Sequence, residues 1–151
     1  MVESDAGLAS YFTRHHRLCD AGWAAVERAV QEDDEAVIVK RFAEYDRLQR
    51  LHLSMEEDLM FPAFEEQTGM TGGPTQVMRL EHQQMRGLLD QMAAALELRD
   101  FQELLDQGDT LLMLIQQHNQ KEEGILYPMA DQALSDQWPA LCARLEELAS
   151  G

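Results

Sequence analysis

Two stretches of this chain carry the same order of residues, and they limit what it can fold into. His118-Asn-Gln-Lys-Glu122-Glu123 runs on to Tyr127-Pro128, and His52-Leu-Ser-Met-Glu56-Glu57 runs on to Phe61-Pro62, 66 residues earlier. A spacing of four puts an imidazole and a carboxylate on one face of a helix, one turn apart. The same offset of 66 relates His82 to His16, so four of the five histidines form two pairs and only His15 is left over. The chain therefore reads as two copies of a helical pair of segments, each offering a His and then His-x-x-x-Glu.

The apolar pattern supports helices throughout. From about Ser4 to Val30, Leu8, Phe12, Cys19, Trp23, Val26 and Val30 recur at steps of three and four, the stripe of a helix with one buried face. His16 fills a gap in that stripe, whereas His15 is rotated off it by about 100 degrees. The acidic run Gln31 to Glu35 opens a second helix, whose seam is Ile38, Phe42, Tyr45, Gln49, His52, Glu56, Leu59 or Met60, and Ala63. Pro62 removes a backbone donor and is expected to loosen the turn that follows it. The stretch from Thr68 to Pro74, with three glycines, separates the two copies.

A third helix from about 74 to 98 carries Met78, His82, Met85, Leu89, Met92 and Leu96 on its seam. Asp100 is placed to cap a fourth, with seam Phe101, Leu104, Gly108, Leu111, Ile115, His118, Glu122, Ile125 and Met129. Ser135-Asp136 then opens a short helix whose Trp138, Leu141 or Cys142, Leu145 and Leu148 cover one end. No strand pattern is present. The expected fold is all-α, an antiparallel up-down-up-down four-helix bundle with a short C-terminal helix, in a single domain over residues 1–151. Counted along such a bundle, the four paired histidines fall within roughly two turns of one level.

One buried histidine on an apolar stripe is usually a hydrogen-bonded core residue. Four imidazoles and two carboxylates in one layer are different, because two buried anions without a cation cost several kcal/mol each. No Lys or Arg stands on a seam, and Arg86, four residues after His82, is the nearest cation. Divalent metal satisfies all six groups, and imidazole with carboxylate suits iron, manganese or zinc better than calcium or magnesium. Six donors exceed what one ion usually takes. By the repeat, one ion takes His16 and His52 and the other His82 and His118, with Glu56 and Glu122 shared. The order of residues is neither the Glu-x-x-His of ferritin-type bundles nor the His-Glu-x-x-His of zinc proteases. Glu57 and Glu123, one position off the seam, are expected as solvated groups or as partners of the histidines.

With 28 acidic against 12 basic residues, a net charge of −16 argues against nucleic acid or an anionic membrane as partner. The two cysteines, Cys19 and Cys142, show no disulfide or zinc-ribbon spacing, and no apolar run is long enough to span a bilayer. A cytoplasmic location is the expectation.

The order His, His-x-x-x-Glu, His, His-x-x-x-Glu, with Glu-Glu and a following Phe-Pro or Tyr-Pro, resembles the hemerythrin family in its bacterial cation-binding (HHE) branch, over about residues 8 to 130. The resemblance implies a four-helix bundle holding a non-haem di-iron centre, with His16, His52, His82 and His118 as terminal ligands and Glu56 and Glu122 as bridges. Oxygen-carrying relatives have a further His where this chain has Arg86. Two histidines per ion leave a more open site, suited to binding or sensing dioxygen, peroxide or nitric oxide. Iron storage, sensing or donation, as in iron-sulfur repair, is the alternative, and a peroxide-decomposing di-metal enzyme is a third reading.

Overall fold

The computed structural model describes residues 2–151 and is helical almost throughout, with no strand among the described residues. Helix α1 (Val2–Gln31) is broken at Gly7, where φ of 89° is open to glycine and strained for other residues. Helix α2 (Glu35–Met55) starts at Asp34, whose side chain accepts the Val37 amide and satisfies one of the unpaired first-turn donors. Helix α3 (Phe61–Thr68) continues its direction and stops at Gly69 in the left-handed conformation. Helix α4 (Pro74–Glu97) begins on a proline, and α5 (Phe101–Lys121) is capped by Asp100, as its sequence position predicts. Helices α6 (Tyr127–Ala133) and α7 (Trp138–Ser150) follow, joined through a 3₁₀ turn at Ser135–Gln137.

The helices pack as a bundle, with α1 lying along α2 and α4 along α5. Trp23, Val26, Phe42, Leu89, Leu104 and Leu111 build one apolar cluster. The other cluster gathers Tyr11, Phe12, Phe61, Phe64 and Tyr127 under Trp138, Leu141 and Leu145 of α7, so the last helix covers that end. Gly108 is required in the first cluster: a Cβ there would stand 2.1 Å from Trp23 Cζ2. Cys19, its thiol pushed up to about 12 by burial, and Cys142 are both buried and are not joined in a disulfide, and the Cys19 thiol is inert packing. No helix among the described residues is long and apolar enough to cross a membrane.

The periodic seams hold until each His-x-x-x-Glu motif ends, and there both slip by one residue. Glu56–Met60 and Glu122–Leu126 are π-helical, with the amides of Phe61 and Tyr127 donating to the carbonyls of Glu56 and Glu122. One extra residue in each turn settles the Leu59-or-Met60 alternative on Met60 and moves Phe61 and Phe64 into the core in place of Ala63. In the second copy Leu126, Tyr127 and Ala130 are buried, and Ile125, expected on the seam, is 59% exposed. The irregular turn thus precedes each proline instead of following it, and α3 is regular beyond Pro62. The cause is the missing donor. Once the pairing has widened to five residues, the next amide would belong to Pro62, and the Glu57 carbonyl it leaves is reached by Arg79 Nη1 at 3.5 Å, the long end of a hydrogen bond.

Candidate metal centre

His16, His52, Glu56, His82, His118 and Glu122 meet in the interior, each no more than 2% exposed. They come from α1, the ends of α2 and α5 with their π turns, and the middle of α4. The donor atoms form two groups of four, each within 4.8 Å: His16, His52, Glu56 and Glu122, and Glu56, His82, His118 and Glu122. The imidazole pairs have ring centroids 4.8 Å apart for His16 and His52 and 5.0 Å apart for His82 and His118.

Each shared carboxylate divides its oxygens between the groups. Glu56 turns Oε2 toward His52 Nε2 at 3.5 Å and Oε1 toward His82 Nε2 at 3.0 Å. Glu122 turns Oε1 toward His16 Nε2 at 3.0 Å and Oε2 toward His118 Nε2 at 3.1 Å. Despite these distances, the Nε2 atoms of His52, His82 and His118, with Glu56 Oε1 and Glu122 Oε2, are buried without a hydrogen-bond partner. These donor atoms are thus crowded together without hydrogen bonds to satisfy them. Buried polar atoms of this kind need an occupant, and the lone pairs of imidazole and carboxylate fit a metal cation.

The far side of three rings is anchored by carboxylates. His16 Nδ1 meets Glu123 Oε2, His82 Nδ1 meets Glu57 Oε2 and His118 Nδ1 meets Glu81 Oε1, each at 2.7 Å. Such contacts fix ring orientation and leave Nε2 for the metal. Glu57 and Glu123 were legible as partners from their place beside the seam, although each supports a histidine of the other copy. Arg86 also donates to Glu57 Oε2 at 2.7 Å, so the residue at the position of the further histidine faces outward. Burial opposes the charge on Glu57, but His82 and Arg86 outweigh it and hold the carboxyl at about 2. Burial likewise disfavours a charged His82, yet Glu56 and Glu57 raise it to about 9 in the metal-free protein. Glu122 is held well down, against complete burial, by His118 and His16.

Three participants were missed by the helical period. Tyr127 falls between the expected seam positions Ile125 and Met129, and its hydroxyl reaches Glu122 Oε1 at 2.8 Å, His16 Nε2 at 3.0 Å and Glu56 Oε2. Burial and the two carboxylates raise this phenol well above its usual range. His15 is not rotated away from the interior: it is buried, stacked on Tyr11, with its ring 6.1 Å from that of His52. Glu81 was unmarked, although it lies 66 residues after His15. The aromatic-Pro pair after each motif was the available signal for the widened turns.

A family model described as the hemerythrin HHE cation binding domain matches residues 8–130. The chain belongs to that family. All six clustered residues fall inside the matched hemerythrin segment, and the domain is a metal-cation-binding one. No curated protein and no solved structure gives a significant match to the chain.

Proposed function

We propose that this hemerythrin domain holds two iron ions and binds or senses a small ligand, namely dioxygen, peroxide or nitric oxide. The observation that carries the reading is the division of Glu56 and Glu122, each turning one oxygen to the His16 and His52 group and one to the His82 and His118 group. A carboxylate that serves two cation positions in this way bridges them. His16 and His52 are then terminal ligands of one ion, and His82 and His118 of the other. Manganese or zinc would satisfy the same donors; zinc has no redox chemistry to offer, and iron serves dioxygen, peroxide and nitric oxide alike.

The protein's own part is to orient and enclose. Glu123, Glu57 and Glu81 fix three imidazoles, and Phe61 stacks on His82 at 5.6 Å between centroids. Because Arg86 is turned to Glu57, the His82 and His118 position receives two imidazoles and the two shared carboxylates, which leaves room for an exogenous ligand. A surface groove of about 510 Å³ between α1 and α5, lined by Arg17, Trp23, Leu112, Asn119 and Glu123 among others, ends on the carboxylate that holds His16. An antiparallel up-down-up-down arrangement of α1, α2, α4 and α5 is part of this reading, supported by the three-residue connections 32–34 and 98–100.

The test is metal content per chain after purification without added metal, together with a visible spectrum recorded before and after exposure to air. Two irons per chain and a new visible band in air are the expected result. One zinc or no metal, with a spectrum that iron reconstitution does not change, would overturn the proposal.

A further inference from the structure

We propose that Tyr127 is a seventh ligand of the centre, giving its phenol oxygen to the ion at the His16 and His52 position and to no other. The inference rests on the metal reading above and divides its two ions into unlike ones.

The Tyr127 hydroxyl stands among three donor atoms of the proposed site. It contacts Glu56 Oε2 and Glu122 Oε1 together, with His16 Nε2 at 3.0 Å. A phenol has one proton and can donate it to only one of the two carboxylates at a time, which leaves its close approach to the other unanswered. A cation resolves it. Donors bound at right angles to one metal at about 2.1 Å stand about 3 Å apart. His16 Nε2 to Glu122 Oε1 is 3.0 Å, His16 Nε2 to Tyr127 Oη is 3.0 Å, and Tyr127 Oη to Glu122 Oε1 is 2.8 Å. These three atoms have the separations of one face of a coordination shell. When the oxygen bonds the ion, the phenol proton is released to solvent, as ligand protons are on metal uptake.

The other ion has no equivalent. The residue 66 positions before Tyr127 is Phe61, which carries no oxygen and lies flat against His82. The π turns bring both rings to the centre, and only one of them ends in a donor. The His16 and His52 ion thus receives five protein donors and the His82 and His118 ion four, which directs an exogenous ligand to the latter.

The experiment is resonance Raman and visible absorption of the full-length chain loaded with ferric iron, with metal analysis of the same samples. The expected result is a phenolate-to-iron charge-transfer band with enhanced tyrosine ring modes, lost in Tyr127→Phe while two irons per chain remain. Phe61→Tyr should add a second phenolate signal. Two irons per chain without tyrosine modes in the unaltered protein would overturn this inference alone. Failure of the unaltered protein to take up iron would overturn the metal reading and this one with it. The spectrum of the unaltered chain decides the matter even if Tyr127→Phe does not fold.

Discussion

His52 and His118 hold the same place in the two copies of the motif, yet they are supported in opposite ways. His118 gives Nδ1 to Glu81 at 2.7 Å, and Glu81 is fixed in turn by Lys121. His52 buries an Nδ1 with no partner. The residue that corresponds to Glu81 in the first copy is His15, whose own Nδ1 is buried and unpaired. One difference between the copies therefore puts a neutral ring, in place of an anion, behind the imidazole of the first motif. The electrostatics differ as well. Burial depresses His52 well below its ordinary value, whereas His118 is raised, because the charge of Glu122 outweighs the burial that opposes it. The difference teaches that an internal repeat can preserve donor atoms while the groups behind them, which set how firmly each donor is held, diverge.

Glu122 is shared by both halves, so its loss is the severest test of the comparison. Glu122→Ala should remove bound metal from both positions, read as metal per chain. Retention of one tightly held ion would show that the halves are independent and that Glu122 does not bridge.

Glu81→Gln should weaken metal binding by about 10- to 100-fold, the usual cost of losing a carboxylate behind a ligating histidine. His15→Ala should cost much less, since no hydrogen bond from its Nδ1 to His52 exists to be lost. Competition titrations against a chelator measure both. Equal losses in the two variants would erase the proposed asymmetry.

The metal-free protein should also show His52 and His82 responding oppositely to pH. His82, raised to about 9, contributes stability that is full below its ordinary value of 6.5 and is lost as pH rises through about 9. His52, depressed in the folded state, acts in the other direction: below 6.5 the unfolded chain binds a proton that folded His52 refuses, so acid destabilises. Thermal melting across this range should lose part of its alkaline limb in His82→Gln, since His16 and His118 are raised as well, and part of its acid limb in His52→Gln. Both substitutions altering the same limb would contradict the opposed environments.

The smallest effect is expected at Arg86. Its guanidinium is partly exposed, and Glu57 keeps His82 without it, so Arg86→Ala should cost less than about 1 kcal/mol in denaturant unfolding. A loss of metal in this variant would show instead that Arg86 holds the second half together.

By itself the sequence determined the helical class, the cap at Asp100, the seams as far as each motif, and the six residues that converge, because helical period is a local property that can be counted. The offset of 66 did more than any single residue, since it separated His16 from His15 as a candidate. Tertiary structure decided what counting could not. The π turns at Glu56–Met60 and Glu122–Leu126 add one residue to the count and rotate everything beyond, which exchanged Ile125 for Leu126 and brought Phe61 and Tyr127 inward. The crossed support of His16 by Glu123 and of His82 by Glu57 joins residues of different copies. Pairings of that kind depend on the rotation of one helix against another, and only packing fixes that rotation.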